Sequence, residues 1–234
     1  MPETLEVSRR DYELNIFEAI ASRRTIRQYL DKPVPLEVMR RVLEAAQMAP
    51  SGCNFQPWEA VVLSGEPLRA LHEKMAKAGP QDPVEYDIMP KGIPQAYMDR
   101  LGGITAHRMA AEGIGRDDAE ARTASSMRNF ISFGAPVNLL TCIPRVMGPP
   151  QWSDVGMWLQ TVMLLLRGEG LDSCPQESFA MHGRLIKQHI GVSDESHLFF
   201  CGMAIGYRDP DAPMNNYTRT REPLDSVVKF QGFA

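Results

Sequence analysis

The apolar segment 154–167 most constrains how this chain of 234 residues can fold. A helix over this segment would be apolar on most of its sides, because of Trp158, Leu159, Val162, Met163, Leu165 and Leu166. The apolar run is shorter than the roughly 20 residues needed to cross a bilayer, and Asp154 and Arg167 stand at its ends. We therefore expect a helix buried in the middle of the protein or of a dimer, and no membrane anchor.

Charge and cysteine content exclude other classes of protein. The formal net charge is −4 and the sequence pI is about 5.8, which argues against a nucleic-acid binder with a broad basic face. The four cysteines are widely spaced, without a Cys-x-x-Cys pair, so we expect reduced thiols, no metal site and a cytoplasmic protein. The acidic segment 1–6 lacks the apolar stretch of a signal peptide.

The spacing of apolar residues predicts helices that alternate with three strands. Helices are predicted over 12–22, 36 to Pro50, 67–78, 95–111, 117–127, 154–167 and from about 179 to 189, with Gly191 as the last cap. Strands are predicted over 58–63, 136–143 and 197–206, and the first is expected to be central. Residues 174–178 are predicted to form a turn. This pattern favours a single α+β domain.

The stretch from about 80 to 130 interrupts this order. Its first part is rich in proline and glycine and carries Tyr86 and Tyr97 around a predicted helix. Long irregular insertions in compact domains are often binding lids. We expect an inserted, lid-like segment here.

Two short motifs concentrate polar chemistry. The run Ser22-Arg23-Arg24-Thr25-Ile26-Arg27 puts three guanidiniums and two hydroxyls at the end of a predicted helix, a composition suited to a phosphate. The run 50–58, Pro-Ser-Gly-Cys-Asn-Phe-Gln-Pro-Trp, offers a turn and two side-chain amides. Taken alone, the first also fits a solvated basic helix end, and the second fits amides that cap turns.

Other polar residues have weaker functional interpretations. Gln160 on the apolar helix fits either a core amide or a ligand neighbour. His182 and His189 lack the spacing of a metal pair. Ser51 has no evident histidine and acid partner, which disfavours nucleophilic catalysis.

In combination, the motifs resemble the FMN-dependent nitroreductase family, in its nitrobenzoate-reductase-like branch. The matching parts follow the family's order and cover nearly the whole chain except the insert: 23–27, 50–58, the helix 154–167 running into Gly170-Leu171, 174–178, and Arg219-Thr220-Arg221. The resemblance implies one nitroreductase-like domain over 1–234. It also implies a central, mostly antiparallel sheet flanked by helices, in an intertwined homodimer.

The resemblance further implies an FMN site at the subunit interface. Arg23 and Thr25, with Arg221 and Arg219, would hold the phosphate and ribityl chain, and Arg27 would approach the pyrimidine edge of the ring. The backbone N–H of Glu177 would lie near flavin N5, and the loop 50–54 would touch the flavin bound mainly by the other subunit. The full set of expected cofactor residues is Arg23, Arg24, Thr25, Arg27, Pro50, Ser51, Gly52, Asn54, Gln160, Pro175, Gln176, Glu177, Ser178, Arg219 and Arg221.

We assign Cys53, Tyr86, Tyr97 and Phe130 to the pocket for a small aromatic substrate. The implied activity is hydride transfer from NADH or NADPH onto FMN and then onto a nitroaromatic or quinone-like acceptor, in ping-pong order. Alternatives are a reductive dehalogenase of the same fold, a non-enzymatic flavin-binding or structural dimer, and an RNA-binding protein. The acid, tyrosine and lysine set of such dehalogenases is not matched convincingly by Glu85, Tyr86, Lys91 or Tyr97.

Overall fold

The structure of the protein, a computed structural model, describes residues 14–233. Its helices are α1 Ile16–Ser22, α2 Leu36–Ala46, α3 Gly65–Lys77, α4 Gln95–Ala111, α5 Ala119–Met127, α6 Pro149–Gly168, α7 Gly183–Ile190, α8 Pro213–Asn216 and α9 Leu224–Val227. Its strands are β1 Glu59–Ser64, β2 Val137–Pro144, β3 Asp172–Gln176 and β4 His197–Gly206. Short 3-10 helices span Gly52–Asn54, Arg128–Gly134 and Glu177–His182. Residues 12 and 13 of the first predicted helix lie outside the described range.

The four strands form one antiparallel sheet in the order β1-β2-β4-β3, which confirms the predicted sheet type. The prediction that the strand after Pro57 is central was wrong, because β1 lies at one edge of the sheet. Four of its six residues are exposed. Local composition indicated a strand here but carried no information about its place in the sheet.

The predicted turn 174–178 was also wrong in its first half, since Asp172–Gln176 is the strand β3. Pairing with β4 places Cys174 opposite Ala204 and Pro175 opposite Met203. Proline has no backbone N–H, so it cannot complete the hydrogen bonds that a central strand makes with both neighbours. It is tolerated in a strand at the sheet edge. The second half of the segment enters the 3-10 helix Glu177–His182.

Helix α6 packs one side against α2 and the core and begins earlier than predicted, at Pro149. Prolines in a first turn are favourable because those N–H groups have no partner within the helix. Trp158 is buried and stacks on Trp58, with ring centroids 5.9 Å apart. The opposite side of α6 is exposed at Met157 and Gln160. One side of the predicted apolar helix is therefore buried within the chain, and the other side is not.

Helix α1 begins at a reciprocal cap, in which the side chain of Asn15 accepts from the Glu18 N–H and the Glu18 side chain accepts from the Asn15 N–H. Ala19 is its one buried residue. Phe17 is 81% exposed and Ile20 is 51% exposed. The apolar side of α1 thus faces away from the rest of the chain.

The segment 80–130 is tied to the core at its start and to the C-terminal region further on. Nζ of the fully buried Lys187 lies 2.6 Å from Oε1 of Glu85. Helix α4 packs against α8, and Nε of Arg100 lies 2.9 Å from Oε1 of Glu222. This arrangement brings α4 alongside the segment that follows α8.

Residues 14–233 have no helix suited to a membrane span and no side-chain cluster suited to a metal ion. No helix in that range combines the length and apolarity that a membrane span requires. The same range contains no group of three or more histidine, cysteine or acidic side chains placed to hold a metal ion.

Candidate functional site

A cavity of about 170 Å³ is lined mainly by arginine side chains from both ends of the chain. The lining combines the segment after α1, one residue of α4 and the segment around and after α8: Arg23, Arg24, Thr25, Arg27, Ile104, Asn215, Tyr217, Arg219 and Arg221. Five guanidiniums converge there, and no carboxylate of residues 14–233 belongs to the lining. Such a cavity suits a compact anion such as a phosphate.

The arginine-rich segment is held in an extended conformation beside β3. Helix α1 ends at Ser22, and the backbone of the next residue, Arg23, is extended. The N–H of the buried Ile26 donates to Ser173 O at 3.0 Å, and Thr25 forms a parallel bridge with Ser173. In an extended segment, successive side chains point to opposite sides. Because the Ile26 side chain is buried on one side, Thr25 and Arg27 point to the other side, toward the cavity.

The segment 215–217 fixes the backbone and side chains of these arginines. Asn215 is buried, and its Oδ1 accepts from the Arg27 N–H at 2.9 Å. Nη1 of Arg27 donates to the Tyr217 hydroxyl at 2.8 Å, and Nη1 of Arg24 donates to Tyr217 O at 2.7 Å. The guanidiniums of Arg24 and Arg27 are therefore already oriented by protein acceptors.

The two arginines of the C-terminal motif differ in their partners. The guanidinium of Arg219 donates to the backbone carbonyls of Arg23 and Ala21. Nη1 of the exposed Arg221 donates only to Thr220 O, its neighbour in the chain, among the hydrogen bonds of residues 14–233. Arg219 thus braces the segment after α1, while Arg221 keeps most of its donors available for a ligand.

Mutual repulsion marks the cavity as a site for negative charge. Burial lowers the pKa of Arg23, and the nearby charge of Arg221 lowers it further. Burial also lowers the pKa of Arg219, with Arg24, Arg23 and Arg221 adding to the effect. An anion in the cavity would relieve this repulsion.

The end of β3 is held by a network of amide side chains. Gln176 is buried, its Oε1 accepts from Nδ2 of Asn138 at 2.9 Å, and its Nε2 donates to Asn129 O at 2.6 Å. Nδ2 of Asn138 also donates to Oγ of Ser132, which is 2.8 Å from Nε2 of His72. Gln176 is thereby a bracing residue whose side chain points into the protein.

The side chains just after Gln176 are not part of its hydrogen-bond network within residues 14–233. Glu177 is exposed, and Oγ of Ser178 is buried without a hydrogen-bond partner among the described residues. A hydroxyl left in this state is costly unless a ligand or water satisfies it.

The loop 50–58 lies against α6 rather than against the cavity. The N–H of Gly52 donates to Oδ1 of the buried Asp154 at 3.2 Å, and the Gln56 N–H donates to Oγ of Ser51 at 3.0 Å. Cys53 and Asn54 adopt positive φ angles of 52° and 56° and are exposed, as are Pro50 and Gly52. Within the described part of one chain, this loop does not contribute to the lining of the arginine cavity.

The remaining predicted residues are spread over the molecule. Gln160 is exposed, so it is not a core amide of the isolated chain. Tyr97 is 58% exposed on α4, with the Arg100 guanidinium 5.0 Å from its ring centroid. Tyr86 and Phe130 pack into the interior instead. The Tyr86 hydroxyl donates to Phe200 O, and the Phe130 ring lies 6.4 Å from Phe179 and 5.2 Å from His182.

No sequence motif marks a role for Asn215, Tyr217, Asn138 or Arg108. Asn215 and Tyr217 contact residues 188 and 190 positions away, and no local spacing reveals such a contact. Their position two and four residues before Arg219 was the one available signal.

The chain is similar to known proteins over nearly its whole length. The model of the "Nitroreductase family" matches residues 20–207. A 4-nitrobenzoate reductase of Pseudomonas putida is 35% identical over 221 residues, which cover 93% of this chain and 96% of that protein. The crystal structure of the FMN and NADPH-dependent nitroreductase NfnB from Sphigopyxis sp. strain HMH is 44% identical, with a TM-score of 0.90, covering 94% of this chain and all of that one.

A second solved structure is similar over much of the chain. It is the FMN-dependent nitroreductase NfnB of Mycobacterium smegmatis in complex with NADPH, which is 26% identical, with a TM-score of 0.84. It covers 92% of this chain and 96% of that one. The family match and the relatives agree with the motifs and the antiparallel sheet, and the chain belongs to the nitroreductase family.

Proposed function

We propose that this protein is an FMN-dependent NAD(P)H oxidoreductase that reduces nitroaromatic or quinone-like acceptors, with ping-pong hydride transfer through flavin N5. The arginine cavity beside β3, which no carboxylate of the described residues lines, is the observation that carries the proposal. Relatives that reduce 4-nitrobenzoate, or that are described as FMN- and NADPH-dependent, support it.

The residues around the cavity fit FMN. Arg23, Thr25 and Arg221 would hold the phosphate, since Arg221 has donors to spare and Arg219 is occupied with backbone carbonyls. Arg24 and Arg27 would supply positive charge beyond it, in orientations set by Tyr217. When bound, FMN supplies a ring that accepts a hydride at N5 and passes it on.

The end of β3 would face the ring. Because Gln176 is anchored at both ends of its amide, the backbone that continues into Glu177 is held in one position. A fixed N–H donor at Glu177, with the free hydroxyl of Ser178, would orient the ring and favour its reduced state.

We further propose that two copies of the chain form a homodimer and share each site. Large apolar side chains are exposed on α1, on the loop 50–58 and on α6, as at Phe17 (81%), Phe55 (55%) and Met157 (40%). Helix α1 and the 3-10 helix of the loop both contact α6, so these residues belong to neighbouring elements. Burying them against a second copy would place the loop 50–54 and Gln160 near the partner's FMN.

The segment 80–130 would act as a lid of the single domain 1–234, with Tyr97 and Cys53 among the residues that meet an aromatic substrate. Tyr97 supports this role because it is exposed on α4, the helix that also contributes Ile104 to the cavity. The four free thiols support a cytoplasmic location.

An absorption spectrum followed by anaerobic reduction tests the proposed function. The protein should purify with, or take up, FMN, and either NADH or NADPH should bleach the flavin absorbance under argon. Adding 4-nitrobenzoate or a quinone should then restore the colour. A colourless protein that takes up no FMN, or a yellow one bleached by neither nucleotide, would contradict the proposal.

A further inference from the structure

Arg108 lies on the side of α4 that faces the proposed site. It follows Ile104, which lines the arginine cavity, by one helical turn, and residues so spaced lie on the same helix face. Nδ1 of the adjacent His107 lies 3.2 Å from Thr218 O, between Tyr217 and Arg219. This face of α4 therefore meets the segment that orients the arginines.

The Arg108 guanidinium makes no hydrogen bond among residues 14–233, although its side chain is only 21% exposed. Its one ion pair is with Glu112, from Nε to Oε1 at 3.6 Å, which is too long for a hydrogen bond. Both of these atoms are buried, and neither has a hydrogen-bond partner within the described part of the chain. The other oxygen of Glu112 accepts from Oγ of Ser125 at 2.7 Å.

Of the five donors of this guanidinium, the N–H of Nε is buried without a hydrogen-bond partner among residues 14–233, and leaving it so is costly. Burial lowers the pKa of Arg108, the charge of Arg27 lowers it further, and Glu112 opposes both. The charge on Arg108 also acts on the buried thiol of Cys174 in β3. The charge of Arg108 therefore interacts with Arg27 and with Cys174 of β3. Arg108 is not among the residues that line the arginine cavity.

We propose that Arg108 binds the carboxylate of an aromatic acid acceptor, and so selects nitrobenzoate-like substrates over neutral nitroarenes. The proposal rests on the proposed function, since it names the acceptor of the same site. The phosphate end already has several arginines, whereas Arg108 lies at the Arg27 end, where the ring and its acceptor would meet. A guanidinium and a carboxylate can form two parallel hydrogen bonds, which fix orientation as well as affinity.

Steady-state kinetics with a charged and a neutral acceptor test this assignment. Arg108→Gln should raise KM for 4-nitrobenzoate about tenfold or more, as expected for losing a charged hydrogen bond, and should change KM for nitrobenzene much less. Arg108→Lys should recover part of the loss. Arg116→Gln is the matched control, because it removes the same charge from an exposed position just after α4.

Benzoate binding gives a readout that does not depend on turnover. Titrating benzoate into the FMN-loaded protein should change the flavin spectrum with a Kd that rises in Arg108→Gln and not in Arg116→Gln. If Arg108→Gln proves unstable because Glu112 has lost its ion-pair partner, the double variant Arg108→Gln with Glu112→Gln removes both charges. It should show the same selective loss for the acid acceptor.

Equal effects on both acceptors, or an unchanged benzoate Kd, would overturn the assignment. A weaker affinity for FMN without any change in acceptor preference would also overturn it, because Arg108 would then belong to the flavin site. If the wild-type protein binds FMN and reduces both acceptors while these variants fail to discriminate, this inference fails alone. A wild-type protein that does not bind FMN refutes the proposed function itself.

Discussion

Nδ2 of Asn138 donates a 2.9 Å hydrogen bond to Oε1 of Gln176, which connects β2 to the end of β3 across the intervening strand β4. Oδ1 of Asn138 accepts from the Met203 N–H in β4 at 3.1 Å. Gly202 makes room for this link, since a Cβ there would lie 3.0 Å from Asn138 Oδ1 and 2.8 Å from the Phe179 ring. One buried amide therefore holds three strands in a fixed relation beside the proposed ring site.

Replacing Asn138 should destabilise the fold. Asn138→Ala leaves the buried amide oxygen of Gln176 and the Met203 N–H without their partner, and we expect the free energy of unfolding to fall by about 2–4 kcal/mol. Urea unfolding measures this, with the exposed Asn216→Ala as the control, for which a loss of about 1 kcal/mol or less is expected. Equal losses in the two variants would contradict a special role for Asn138.

The two C-terminal arginines should separate in their effects. Arg221→Gln should weaken FMN binding about tenfold or more with little change in thermal stability, because Arg221 makes no long-range hydrogen bond among the described residues. Arg219→Gln should lower both FMN affinity and the melting temperature of the apoprotein, because it frees the carbonyls of Arg23 and Ala21. Fluorescence titration with FMN and thermal melts of the apoprotein distinguish the two; a reversed pattern would exchange their roles.

His72 should make the fold sensitive to mild acid. Burial lowers its pKa from 6.5 to about 4, so between these values the unfolded chain binds a proton that the folded chain does not. The stability associated with neutral His72 is fully present above pH 6.5 and is lost as the pH falls toward 4, by about 1–3 kcal/mol for a partly exposed group. Urea unfolding at pH 7 and pH 5 should show a smaller difference for His72→Gln than for the wild type; an identical difference would rule His72 out.

The shared site predicts complementation between inactive variants. An Arg23→Ala chain has a damaged cavity and an intact loop, and an Asn54→Ala chain has the reverse. Unfolding and refolding the two together should restore activity in the mixed dimers. Each mixed dimer has about half of its sites intact, because one site combines the undamaged cavity of one chain with the undamaged loop of the other.

Phe17→Asp should yield a monomer near 26.2 kDa by light scattering, and a wild type of that same mass would refute the dimer.

The sequence could predict those elements whose own residues determine them. The strand 197–206 was predicted with its observed bounds, because a long apolar run between turn residues has few alternatives. The strand β3 was missed because Asp-Ser-Cys-Pro-Gln has little strand composition, and its conformation comes from pairing with β4. Propensity is overridden in such places by tertiary contacts.

The candidate site likewise has residues that a sequence motif predicts and residues that it does not. The arginines of residues 23–27 were visible as a motif, and the structure gathers them with Arg219 and Arg221 around one cavity. The residues that orient or extend that group, Asn215, Tyr217 and Arg108, come from distant parts of the chain. Contacts of this kind depend on how the helices and the C-terminal segment pack, and no short sequence pattern encodes them.

The position of Pro175 at the outer strand has a consequence for self-association. Beyond β3, the sheet is already capped by the bridge from Thr25 to Ser173, and Pro175 has no N–H to offer an incoming strand. The other border is β1, whose outer side has no paired strand among residues 14–233. Growth of the sheet by edge-to-edge addition, the first step toward amyloid-like assembly, would therefore have one direction open to it, along Glu59–Ser64.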